Sequence, residues 1–412
     1  MIKYVIVLLF ISETVLGQEN RFIDYLKINK SSLDVTSDRQ WDMIKDDAGK
    51  NQFIILGESH GAEAAQLIDF NLLKYLNENV GTRTYIAELD FAQSAAVNEY
   101  LKTGDEAFLK VVFRTWVKRH AQWGNSNFYD KIVRIRKLNK TLPKEKRITF
   151  TGIDQIQDFY LYFSYLNKFI GNRQSQLLDS IKLVSATNLN DSSFERKCFF
   201  AKGFNEKIEQ NRIEFVRLFG EQLPLFEYLI QNLSHSNAKA VAKRPEYLFQ
   251  NFKQLYTVLH LENEKLYGMW GFFHSHQVPI YFVGEDFASK LISSDHPISK
   301  KIMTILCMPI DSKCNVWDEK SGIWTKQPFS YDDKNLLQVD GIEDAKALST
   351  NDPITLFKIS GINSPYAKTG RLFNGVSPQG RIVGDFRKRD FAYQYLIVFR
   401  NSDWLKPLPQ TF

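Results

Sequence analysis

Four short apolar runs constrain this chain more than anything else in it: Phe53–Leu56, Thr84–Glu88, Ile148–Gly152 and Leu266–Phe273. Longer stretches with apolar residues at helical spacing adjoin them, namely Ala62–Asn79, Phe91–Lys102, Phe128–Leu138, Gln155–Phe169 and Glu246–Leu261. A strand buried on both faces reads as a continuous apolar run, and strands that alternate with helices pair in parallel. The expected fold is therefore α/β, with a mostly parallel central sheet and helices on both faces. Between Gln174 and Leu261 no strand pattern occurs, which predicts an inserted helical subdomain over about 174–261. From Lys301 onward the texture changes to short runs, Met303–Met308, Ile354–Ile359 and Tyr393–Phe399, separated by Gly- and Pro-containing turns. These predict a strand-rich C-terminal region over 301–412, beside an α/β domain over 18–300.

Residues 1–17 read as a signal peptide: Lys3, the apolar run Tyr4–Ile11, then Val15-Leu16-Gly17 ahead of Gln18. The apolar run is too short to span a bilayer, so the expectation is export to the periplasm or medium, without stable membrane insertion. Charge narrows the partners. With 53 basic and 47 acidic residues the net charge is only +6, which gives no nucleic-acid signature. The one dense basic run, Arg134–Arg147, reads as a solvated helix end followed by a turn at Pro143. Three cysteines are an odd count for an exported chain. Cys307 and Cys314 are spaced to staple a short loop or to stay free, and Cys198 falls in a helical stretch as a lone buried thiol. Oligomeric state is not legible.

In parallel α/β sheets, functional side chains gather where strands end. Here the strand ends read Gly57-Glu58-Ser59-His60-Gly61, Ala87-Glu88-Leu89-Asp90, Gly152-Ile153-Asp154-Gln155 and Gly271-Phe272-Phe273-His274-Ser275-His276. One acid at such a place is ordinary, because aspartate caps helices. An acid, a histidine or both at all four ends predicts a pocket, and three of only seven histidines fall there.

The ordered set Ile54–Gly61, Ile86-Ala87-Glu88, Arg114-Thr115-Trp116, Gly152-Ile153-Asp154, Arg244-Pro245-Glu246 and Leu266–His274 resembles the erythromycin esterase family over roughly residues 50 to 290. The chain has a single residue between Glu58 and His60 where those esterases have two, and His274-Ser275-His276 where they have a W-x-H-N motif. Gly57-x-x-His60 and Gly271-x-x-His274 also look like the paired motifs of the TraB/TIKI metalloproteases, and Gly57-Glu58-x-His60 resembles the haem-binding ChaN group. These groups are regarded as sharing a fold.

The resemblance implies an ester or lactone hydrolase acting on a small molecule, without a cofactor. In that reading Glu58, His60, Glu88, Arg114 and His274 carry catalysis, and Trp116, Asp154 and His276 contact substrate. His60 is the general base on water, oriented by Glu58 or Glu88, while His274 and Arg114 stabilise the oxyanion. The alternatives are a metal-dependent peptidase, with a divalent ion on His60, Glu88 and His274, or a haem- or metal-binding protein without turnover. Gly57-x-Ser59-x-Gly61 also matches a serine nucleophile elbow, a pattern that leaves Glu58 and Glu88 unexplained. Carboxylates after residue 300 are expected to serve stability alone.

Overall fold

The computed structural model describes residues 21–34, 41–186, 194–236 and 243–412, so the signal-peptide segment lies outside the described residues. The fold is α/β. Eight strands form a mostly parallel central sheet: β1 (Lys30–Ser32), β2 (Phe53–Glu58), β3 (Thr84–Ala87), β4 (Thr149–Gly152), β5 (Leu266–Gly271), β6 (Ile302–Ile310), β11 (Ile354–Lys358) and β14 (Tyr395–Arg400). Their order is β1-β11-β14-β6-β2-β5-β3-β4. The chain divides into two compact units, one running up to Val80 with Trp270–Ile292 and Lys300–Pro407, the other comprising Gly81–Met269, Ser293–Ser299 and Leu408–Phe412.

In the first unit β2 and β14 flank β6, both in parallel, with Ile54 opposite Met303 and Ile397 opposite Cys307. All nine residues of β6 and all six of β2 are buried, which is why both are mainly apolar, with Thr304 and Glu58 the buried polar exceptions. β11 and β1 then extend the sheet antiparallel. Thus three of the strands after residue 300 belong to the main sheet. The remainder make a hairpin, β7 (Ser312–Asp318) with β8 (Ile323–Phe329), and a small antiparallel sheet of β9 (Asp332–Asp333), β10 (Leu337–Val339), β12 (Gly375–Ser377) and β13 (Gly380–Ile382). All three cysteines are free and buried. Burial pushes the Cys307 thiol well above its ordinary range and that of Cys314 up to about 11.

In the second unit β3 pairs in parallel with β4 and with β5. Helices α1 (Glu63–Val80, in the first unit) and α2 (Phe91–Thr103), α3 (Glu106–Lys118) and α4 (Ser126–Thr141) carry the chain from β2 to β4. α2 opens on a capping box, in which Asp90 accepts from the Gln93 N–H and the Gln93 side chain accepts from the Asp90 N–H. β4 is an edge strand, and its outward backbone groups are occupied by two asparagines. Asn98 of α2 bonds both the N–H and the C=O of Phe150, and Asn139 of α4 does the same for Ile148. The stretch after α5 (Phe159–Ile170) is helical as expected: α6 (Gln176–Ala186), α7 (Phe194–Gln210), α8 (Arg212–Phe219) and α9 (Leu223–His235), followed by α10 (Arg244–Val258). Cys198 lies buried within α7.

Most boundaries shift by one to three residues from the sequence pattern, and two shifts bear on the candidate site. α5 starts at Phe159 instead of Gln155, because Asp158 caps it by accepting from the Leu161 N–H. β5 stops at Gly271 instead of Phe273, and Phe272–Ser275 turns into the short helix α11. The turn brings these elements so close that neither glycine leaves room for a side chain. A Cβ on Gly57 would stand 2.0 Å from Ser275 Oγ, and one on Gly271 would stand 3.2 Å from the His60 ring.

Candidate active site

β2 delivers Glu58 and the turn behind it delivers His60. Glu58 is buried, and its Oε1 lies 2.5 Å from Nδ1 of His60, whose ring is part-exposed. The short helix α11 after β5 delivers His274, whose Nδ1 lies 2.6 Å from Oδ1 of Asp286. Asp286 sits just before α12 (Phe287–Ser293); it accepts from the Phe287 N–H, and its own N–H donates to Ser289 Oγ. The space that a Cβ on Gly271 would fill is bordered by Cε1 and Nε2 of His60 at 3.2 Å and by Cδ2 of His274 at 3.6 Å. The two imidazoles therefore meet over one glycine, each with a carboxylate behind it.

That arrangement fixes the protons. A carboxylate only accepts, so Nδ1 of each neutral ring donates and Nε2 carries the lone pair, an assignment made from the hydrogen-bond network. The result is two imidazoles presenting a basic nitrogen, each oriented from behind. Such nitrogens take a proton from water or bind a metal equally well. Among the described residues no group of three or more His, Cys, Asp or Glu side chains is placed to hold an ion.

His276 lies deeper, packed against Phe272 and Phe373, with Nδ1 2.6 Å from the Val278 carbonyl. Burial lowers its pKa to about 4, outweighing the Val278 bond, and Nε2 has no hydrogen-bond partner. Ser59 contacts the Tyr331 hydroxyl, brought in from the chain after residue 300. Tyr331 is buried, and burial pushes its hydroxyl above the ordinary tyrosine range.

The remaining expected residues belong to the second unit. Glu88 and Asp154 both engage Arg244 at the start of α10: Asp154 accepts from Nε at 3.0 Å and from Nη2 at 2.6 Å, and Glu88 accepts from Nη2 at 2.7 Å. Burial disfavours the Arg244 cation, but attraction to Asp154 and Glu88 prevails and raises its pKa. Gln157 donates to Asp154 and accepts from the indole N–H of buried Trp116. Asp90 is buried alongside, and burial raises it to about 7 despite three backbone donors, Gln93, Gln157 and Asp158. Arg114 is exposed on α3 and donates to the Phe412 carbonyl.

The structure thus joins Glu58, His60 and His274 in one unit, and Glu88, Asp154 and Trp116, through Arg244 and Gln157, in the other. Arg114 joins neither set by a described contact. Asp286 and Arg244 were not among the expected site residues. Asp286 follows Gly284-Glu285 and precedes an apolar helical run, the pattern of an ordinary cap, and only its distance to His274 reveals it. Arg244, ahead of Pro245 at the first turn of a helix, likewise reads locally as a helix start.

No protein-family model matches the chain, and no curated protein matches its sequence. Solved structures do match its fold. A crystal structure of a Bacillus cereus protein aligns with a TM-score of 0.70 at 15% identity, covering 95% of this chain and 99% of that one. A structure described as a succinoglycan biosynthesis protein aligns at 0.67 and 14% identity, with the same coverage. A mutant of the erythromycin esterase EreC in its open conformation aligns at 0.62 and 10% identity, covering 90% and 97%. At these identities the likeness is one of fold.

Proposed function

We propose that this protein is a hydrolase that cleaves an ester or lactone with water activated by histidine. The observation that carries the reading is the convergence of two histidine–carboxylate pairs, Glu58–His60 and Asp286–His274, over Gly271. The fold shared with an erythromycin esterase supports it. Nε2 of His60 takes a proton from water as the water oxygen bonds to the acyl carbon, and Glu58 stabilises the imidazolium that forms. His274, whose Nδ1–H donates to Asp286, accepts at Nε2 from the other O–H of the same water and orients it for attack. When the tetrahedral intermediate collapses, the C–O bond breaks and the departing alkoxide takes the proton from His60, giving acid and alcohol. Glu88 and Asp154 hold Arg244 and move no proton.

A panel of esters and lactones tests this directly. Wild-type protein should hydrolyse at least one, and His60→Ala should abolish turnover with an unchanged circular dichroism spectrum. Asp286→Asn should lower kcat by roughly 10- to 100-fold with a smaller effect on KM. Activity should survive exhaustive chelation; loss on chelation and return with one divalent ion would move the chemistry to a metal-bound water. Export belongs to the same reading, and an amino terminus at Gln18 in protein recovered outside the cytoplasm would establish it.

A further inference from the structure

The link between His276 and Asp286 forms a narrow finger with an unusual tip. Tyr281, Phe282 and Val283 are 53%, 99% and 72% exposed. Phe282 is held at φ +66°, a left-handed conformation that costs energy for a bulky residue. The base, by contrast, is well tied. The Ile280 N–H donates to the Gly284 carbonyl at 3.1 Å and the Gly284 N–H returns to Ile280 at 2.8 Å. The Tyr281 N–H donates to Val383 at 2.7 Å, and the Asp385 N–H to Pro279 at 2.7 Å. Three consecutive apolar side chains are therefore held out in water by a braced backbone.

Around that base stand cations. Arg387 borders the same hollow as the finger, a concavity of about 500 Å³ lined by residues 279–284, Asp385 and Arg387. Arg387 is 81% exposed and bonded to Asp385. Arg381, two residues before the brace at Val383, and Lys388 are exposed and form no ion pair among the described residues. The acids nearby are Asp385, bonded to Arg387 and attracting Lys388 as well, Asp390, paired with Lys368, Asp286, bonded to His274, and part-buried Glu285.

We infer that this finger is a lipid contact: Tyr281, Phe282 and Val283 insert at the headgroup–acyl boundary of a bilayer, and Arg381, Arg387 and Lys388 meet its phosphates. Aromatic side chains favour that boundary, and cations behind an apolar tip match anionic headgroups. Area argues against a protein partner. Three such side chains offer roughly 500 Å², below the roughly 800 Å² per partner of a standard protein interface. Among the described residues no helix is long and apolar enough to cross a membrane.

Co-sedimentation of the full chain with vesicles decides the matter, using phosphatidylcholine alone and phosphatidylcholine doped with phosphatidylglycerol. The wild type should bind both, and more tightly when phosphatidylglycerol is present. Phe282→Ser with Val283→Ser should cut the bound fraction at least tenfold on both vesicles. Arg381→Glu with Lys388→Glu should abolish only the gain from phosphatidylglycerol. Phe282→Trp should shift its emission to the blue when vesicles are added. Wild type that stays in the supernatant, equal sedimentation of the serine variant, or binding without a blue shift would overturn the inference. A concentration-dependent dimer lost in Phe282→Ser would assign the tip to self-association instead.

Discussion

Of the three histidines at the strand ends, two are backed by a carboxylate and one is turned into the core, and burial separates them. His60 and His274 keep a carboxylate behind Nδ1, whereas His276 has only the Val278 carbonyl and an apolar wall of Phe272 and Phe373. Sequence spacing cannot distinguish these surroundings, because all three residues fall beside a strand end. The lowered pKa of His276 makes a testable demand on stability. The unfolded chain binds a proton there near pH 6.5, and the folded chain does so only near pH 4. Between those values the unfolded state is favoured progressively, so stability falls as the pH falls through this window and the loss from this group is complete below it. The difference corresponds to roughly 3 kcal/mol. Urea unfolding at pH 7 and pH 4 should show His276→Gln narrowing the gap by about that amount.

At the scale of elements, the runs that were legible in the sequence are the ones buried on both faces. Phe53–Leu56 and Met303–Met308 lie within β2 and β6, because a continuous apolar run has few other places to go. Pairing was not legible. That β6 lies beside β2, and β14 beside β6, depends on contacts between segments far apart in the chain, Phe53 with Ile302 and Tyr395 with Ile305, and local patterning carries no such order. Asp286 was hidden at shorter range: it stands before an apolar helical run like an ordinary cap, and the loop that folds it back onto His274 leaves no local pattern. Gly57 shows how closely the site elements approach: a methyl there would stand 2.0 Å from Ser275 Oγ and 2.7 Å from its Cβ. Gly57→Ala should therefore destabilise the fold by about 1–3 kcal/mol, seen as a lowered midpoint in thermal unfolding. Ser275→Gly in the same chain should recover part of the loss.

For the whole molecule, the strand-rich end is part of the main body. β6, β11 and β14 supply three of the eight strands, and β6 covers one side of β2, the strand that ends in Glu58. A chain cut after residue 300 should consequently fail to fold cooperatively, leaving no denaturation midpoint and no hydrolysis. A soluble, active fragment would show that the first 300 residues form a core by themselves. The two asparagines of α2 and α4 that cover the edge at β4 have an effect that reaches beyond one molecule. Ile148 and Phe150 would otherwise offer a ladder of bare peptide groups to any extended chain passing by. Asn98 and Asn139 answer those groups with side-chain amides, each mimicking the pair of contacts that a further strand would make. A crowded solution of this protein thus meets a counterfeit neighbour on that flank. Fibre growth from it must first evict both amides, so the barrier to polymerisation is written into two residues outside the candidate active site.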